Sequence, residues 1–152
     1  ETKKLSVNCD ENKKNTLLIF KSIFDKHNLK FYLDGGTLLG AIRENGFIKH
    51  DVDNDFVIFL DDLHILEKII PEIVKNGFKP ISYSSFLEIK FIGENDYIDI
   101  RLRAKSRFNK KLDKINFLNT EFCIPNNVHE YLKILYGNWK VPSFKHSWTT
   151  PK

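Results

Sequence analysis

Apolar residues recur at helical spacing early in the chain, and the pattern then turns strand-like. Leu17, Phe20, Ile23 and Phe24 form one stripe, with Asp10 placed to cap a helix running to about His27 and Asn28 suited to end it. Lys30 to Leu33 predicts a short strand, Gly35-Gly36 a tight turn, and Thr37 to Glu44 a short helix that begins at that turn. The unbroken apolar run Phe56 to Leu60 predicts a buried strand. Asp61 can cap a following helix from Asp62 to about Asn76, closed by Gly77, with Pro71 expected to kink or split it. Lys79 to Tyr83, Phe86 to Ile92 and Tyr97 to Arg103 read as three strands, the last two joined by a turn at Gly93 to Asp96. Phe117 to Ile124 adds a strand or hairpin, and Pro125-Asn126-Asn127 opens a helix through Tyr136 that stops at Gly137. The tail from Asn138 to Lys152 is aromatic but irregular. With no internal repeat or linker, this is an α+β chain built around one mixed sheet.

Length and composition narrow the class. A chain of 152 residues suits one domain and can bury around two-thirds of its unfolded surface. No apolar run is long enough to span a bilayer and no signal-peptide pattern is present. Cys9 and Cys123 are too few for a disulfide framework and lack metal-ligand spacing. A cytoplasmic setting is therefore expected, with peripheral contact at the inner face of a membrane compatible with it. The sequence contains no methionine, even at position 1, so it is expected to be cropped from a longer chain. Net charge is +4, and Arg101, Arg103, Lys105, Arg107, Lys110, Lys111 and Lys114 form a basic cluster. Either it faces an anion or it is a solvated loop. It lacks an interleaved aromatic platform, which argues against nucleic acid.

The chemistry concentrates between Asp34 and Leu60. In an extended strand Asp51, Asp53 and Asp55 project to one side, and three like charges on one face raise each other's pKa unless a divalent metal compensates them. The same acids open like an EF-hand calcium loop, with Asp62 at its twelfth position. That loop needs glycine sixth, where this chain has Phe56 followed by a strand-like run. Gly35, Gly36 and Thr37 at a helix start offer N–H groups and a hydroxyl to a phosphate. Arg43 either clamps a phosphate or pairs with Glu44 or Asp51. Asp99, isolated among apolar residues of a strand, either bridges to Arg101 or joins Asp53 and Asp55 as a third metal ligand. His50 and His146 read more naturally as surface residues than as bases, and Tyr136, Trp139 and Trp148 as packing more than stacking platforms.

Two blocks carry a resemblance. Asp34-Gly-Gly-Thr-Leu-Leu-Gly-Ala-Ile-Arg43, with Gly46-Phe-Ile48 and the alternating acids, closely resembles the LicD family of phosphotransferases, which includes the fukutin-related proteins. Ile124 to Pro142, with its proline, helix and Tyr136-Gly137, is similar to the family's C-terminal signature. The resemblance spans about Phe31 to Pro142. It implies a nucleotidyltransferase-like fold and transfer of phosphocholine or a polyol phosphate from a CDP-linked donor to a glycan hydroxyl. It further implies metal ligation by Asp53 and Asp55, with Asp51 beside them and Asp99 as the third acid, and donor binding by the Gly35-Gly36-Thr37 element and Arg43. Lys49-His50 departs from the family's usual Pro-Trp before the acids, and Val52 and Asn54 from the residues common between them.

The expected activity is thus that of a Mg²⁺- or Mn²⁺-dependent transferase acting on a CDP-linked choline, ribitol or glycerol donor and a saccharide acceptor, of the kind that builds capsule or teichoic acid. Asp51, Asp53, Asp55 and Asp99 are its catalytic acids, and Asp51, at the start of the strand, is the expected proton acceptor. A nucleotidyltransferase and a noncatalytic saccharide- or calcium-binding module are the alternatives.

Overall fold

The structure, a computed structural model, describes residues 2–49, 51–84, 87–94 and 96–142. Helix α1 (Thr2–Lys26) precedes β1 (Phe31–Leu33), α2 (Gly35–Arg43) and β2 (Asp53–Phe59). A 3₁₀ turn at Leu60–Asp62 leads into α3 (Leu63–Lys75), then β3 (Lys79–Ser84), β4 (Glu88–Ile92) and β5 (Tyr97–Arg103). The hairpin β6 (Asp113–Phe117) and β7 (Thr120–Ile124) and helix α4 (Val128–Tyr136) complete the described fold.

Five strands form one sheet in the order β1-β2-β5-β4-β3, with β2 and β5 parallel and the other pairs antiparallel. Side chains alternate along β1, β2, β4 and β5, so this register separates two faces. One face collects Phe31, Leu33, Phe56, Ile58, Ile89, Phe91, Ile98, Ile100 and Leu102, all buried. Against it lies the stripe of α1, with Phe20 edge-on to Phe91 and Phe78 and tilted on Phe56, and Phe24 edge-on to Phe31 and Phe56, and α3 adds Leu66, Ile69 and Ile73. The opposite face carries Asp53, Asp55, Asp99, Arg101, Glu88 and Lys90, with a small apolar patch of Tyr32, Val57 and Phe59. Chemistry on one face and packing on the other follow from a period of two in β2 and β5.

Several boundaries differ from those expected. Helix α1 begins at Thr2 and runs through Asp10, because no glycine or proline interrupts the turns before it. Helix α2 begins at Gly35, so the glycines are its first turn rather than a separate one. Helix α3 continues through Pro71 without splitting; its buried Leu66, Ile69 and Ile73 offset the lost backbone hydrogen bond. Strand β6 lay hidden in the basic connection. It reads as polar, and its turn, Leu118-Asn119, takes positive φ at both residues (55° and 58°) without the glycine that usually marks such a turn. The hairpin nonetheless inserts Phe117 and Phe122 into the core beside Phe47 and Phe31. No helix among the described residues is long and apolar enough to cross a membrane.

Phe56 touches the rings of Phe20, Phe24 and Phe31 at centroid distances of 5.5–6.1 Å and is fully buried. Phe56→Ala is expected to cost about 3–5 kcal/mol, read as a lower midpoint in urea unfolding with little change in slope.

Candidate active site

The site forms where the polar face meets the start of α2. Asp55 and Asp99 are register partners on the parallel strands β2 and β5, so two carboxylates sit side by side, each only 6% exposed. Asp34, the residue before α2, donates its backbone N–H to the Asp55 carbonyl at 3.2 Å, which brings a third buried acid alongside. Asp51 precedes β2 rather than lying in it. Its Oδ1 accepts the Asp53 N–H at 3.2 Å.

The glycines make this crowding feasible. Gly36 donates its N–H to Asp55 Oδ2 at 3.1 Å, at the positive end of the helix. A Cβ on Gly35 would lie 2.6 Å from the same oxygen, and Gly35 also has φ +55°, while a Cβ on Gly36 would collide with Asp51 Oδ2. Thr37 is buried and its hydroxyl accepts the Asp55 backbone N–H at 2.9 Å, tying α2 to β2. Gly35, Gly36 and Thr37 are thus gathered at the acids. Arg43 is not, since it lies at the other end of α2, its Nε on Glu44 Oε1 and an Nη on the Trp139 carbonyl, both at 3.0 Å.

Asp34, Tyr131 and Lys13, none of them named as site residues from the sequence, complete the cluster. Asp34, although at the helix N-cap, makes no capping bond with its side chain. It accepts instead from the Tyr131 hydroxyl of α4 at 2.5 Å and from Arg101 at 3.2 Å. Burial, followed by Asp34 and Asp55, pushes the phenol of Tyr136 up to about 12, so it stays neutral. Lys13 of α1 is buried, donates to the Asp51 carbonyl at 2.7 Å, stands 3.9 Å from Asp51 Oδ2 and lies over the Phe47 ring. The available signal was that Lys13 extends the buried stripe one turn before Leu17.

The Asp99–Arg101 bridge, one of the two readings open for Asp99, is not formed; Lys90, directly opposite on β4, brings its Nζ within 3.4 Å of Asp99 Oδ1 instead. Residues two apart on one strand are farther apart than direct cross-strand neighbours, so the cross-strand partner wins. The basic cluster divides, with Arg101 and Arg103 turning to the acids while Arg107 pairs with Glu130 and Lys114 with Glu121. An EF-hand is excluded because β2 is extended through Phe56, where that loop must turn. Trp139 is buried and stacks on His129. His50, His146 and Trp148 lie outside the described residues.

Residues 28–148 match the family described as LicD/FKTN/FKRP, nucleotidyltransferase domain. The chain belongs to the LicD family. It is 29% identical over 146 residues to ribitol-5-phosphate transferase FKTN of Mus musculus, covering 78% of this chain and 31% of that protein. An uncharacterised protein of Caenorhabditis elegans is 32% identical over 139 residues, covering 91% of this chain and 32% of that protein. The chain spans about a third of the length of these curated relatives. Among solved structures, the lincosamide antibiotic adenylyltransferase LnuA superposes with a TM-score of 0.60 at 14% identity, covering 78% of this chain and 83% of that one. The antibiotic-resistance factor ANT(2″)-Ia gives 0.61 at 11% identity, covering 77% and 66%. These likenesses bear on the fold, and the nucleotidyltransferase-like mixed sheet flanked by helices is what the structure has.

In this LicD domain the charges do not balance. Counted as fully ionised, Asp34, Asp51, Asp53, Asp55 and Asp99 face Lys13, Lys90 and Arg101, while Glu88 and Arg103 offset each other at the rim, a formal excess of two negative charges. Burial, opposed by Arg101 but reinforced by Asp51, Asp99 and Asp53, raises Asp55 to about 8. Burial, then Asp99 and Asp51, also raises Asp53. Asp99 Oδ1 is buried without an aligned hydrogen bond. Among the described residues no three acid, histidine or cysteine side chains stand close enough to grip one ion as they are. The fit to a divalent cation is therefore one of donor type and charge, hard oxygens with an excess of two.

A carboxyl raised in the folded state holds a proton that the unfolded chain has released, so stability falls as pH climbs from the unfolded value toward the folded one. Asp55, Asp53 and Asp96 all shift this way, each chiefly by burial. In EDTA the domain is expected to lose on the order of 1 kcal/mol per pH unit between about pH 5 and pH 7. Thermal melts would show a falling midpoint, and Asp55→Asn would flatten most of the slope.

Proposed function

We propose that the domain is a divalent-metal-dependent phosphotransferase that moves a substituted phosphate, such as phosphocholine or a ribitol or glycerol phosphate, from a CDP-linked donor to a hydroxyl of a cell-surface glycan, releasing CMP. The observation that carries this reading is the excess negative charge of the two-strand acid cluster beneath the start of α2, in a chain of the LicD family. Asp53, Asp55 and Asp99 are the residues that would hold Mg²⁺ or Mn²⁺. Bound there, the ion would neutralise charge on the donor's diphosphate.

The chain's own residues supply the rest. Glycine backbone at the start of α2 fixes Asp55, Lys13 fixes the Asp51 segment, and the tyrosines of α4 close one side of the polar face. The acceptor oxygen attacks the phosphorus of the substituted phosphate, and the bond from that phosphorus to the oxygen bridging to CMP breaks. CMP departs with the bridging oxygen, and the acceptor's proton passes to a carboxylate, for which Asp51, 14% exposed before β2, is our assignment.

A panel of CDP-choline, CDP-ribitol and CDP-glycerol with Mg²⁺ tests the reading, with release of CMP as the readout. One donor is expected to be hydrolysed slowly without acceptor, and EDTA to abolish the signal. Asp53→Asn and Asp55→Asn are each expected to lower turnover by about a hundredfold or more. Near-normal turnover in either would refute the metal assignment. Pyrophosphate release from a nucleoside triphosphate, with silence toward every CDP donor, would replace the reading by nucleotidyl transfer.

A further inference from the structure

The groups that would ordinarily receive a phosphate at a helix start are engaged within the chain. The Gly36 N–H is on Asp55, the Thr37 hydroxyl is on the Asp55 backbone, and Arg43 is tied down at the far end of α2. An anion arriving over the polar face therefore meets other donors.

Arg101 stands on that face with Asp99 and Arg103, next to Glu88 across the strand pair, and is 31% exposed. A guanidinium whose role was to neutralise Asp55 would form a close, two-point hydrogen bond with it. This one does not. Nη1 is hydrogen-bonded to Asp34 at 3.2 Å, whereas Nη2 stops 3.9 Å from Asp55 and Nε 3.8 Å from Glu88, both beyond hydrogen-bond length. Asp34 is fixed in turn from the other side by Tyr131. The acid before the glycines thus anchors the arginine and keeps it from collapsing onto Asp55. Arg103, 51% exposed, and Lys90, 33% exposed, add positive charge on the same face.

We propose that Arg101 is the side chain that takes the phosphoryl oxygens of the diphosphate donor, held by Asp34 beside the acid pair with its Nε and Nη2 edges available. The proposal rests on the phosphotransfer reading above and assigns the anion contact within it. Arg101 bridges the charge of the incoming group, while the carboxylates beside it serve cation binding and proton transfer.

The test is calorimetric titration of CDP and of inorganic pyrophosphate, each with Mg²⁺, into the wild-type chain and into Arg101→Lys, with Arg107→Gln as a surface control and thermal melts to establish folding. Lysine keeps the charge but loses the fork, so Arg101→Lys is expected to weaken binding about tenfold or more, and Arg107→Gln by less than about twofold. Should Arg101→Lys not fold, the double variant R101Q/D34N removes the cation and its buried partner together and is expected to show the same loss. Wild-type binding of CDP with unchanged affinity in a folded Arg101 variant overturns the assignment and leaves the phosphotransfer reading standing. Arg101-dependent binding of pyrophosphate without affinity for CDP supports the assignment and overturns the CDP donor. Binding of neither probe by the wild-type chain overturns both.

Discussion

The packing of one carboxylate against bare backbone organises this domain. Asp55 reaches from the middle of the sheet to the first turn of α2, where Gly36 gives it an N–H and a side chain on Gly35 would displace it. Thr37 closes the other half of the same contact by accepting the Asp55 N–H. Helix α2 is therefore docked on β2 through polar contacts at its start and through Leu38, Leu39 and Ala41, which are buried in the core. The acid cannot move without the helix.

The cost of that arrangement is electrostatic. Buried like charges are tolerated where cations or protons answer them. Here the answers come from three separate elements: Lys13 from α1, Lys90 from β4 and Arg101 from β5. They leave the cluster negative, and the raised Asp55 expresses the remainder as affinity for a proton. A divalent cation bound as proposed would compete with that proton for the same deficit and so tie the domain's stability to the occupancy of its site.

Much of this was legible in the chain because periodicity encodes faces. The alternation of Asp53 and Asp55 with Asn54 and Phe56 put the acids on one side, and the apolar spacing of Leu17, Phe20 and Phe24 put α1 on the other. What escaped depends on register between distant segments. Nothing local says that Lys90 will lie opposite Asp99, that Tyr131 will reach Asp34, or that Lys13 will end beside Asp51, since each partnership is set by how strands and helices pack. Strand β6 escaped for a local reason. Leu118-Asn119 adopts a left-handed turn that its side chains disfavour, and packing of Phe117 and Phe122 on either side compensates.

Lys13 also bears on where this unit is to be divided from its surroundings. The family match starts at residue 28, downstream of α1. Yet α1 covers the aromatic side of the sheet with Leu17, Phe20 and Phe24 and sends a cation through to Asp51. A fragment cut at residue 28 would bare a row of phenylalanines on one side and strip a counter-charge from the acids on the other. The packed module, in physical terms, starts a helix earlier than its family match does.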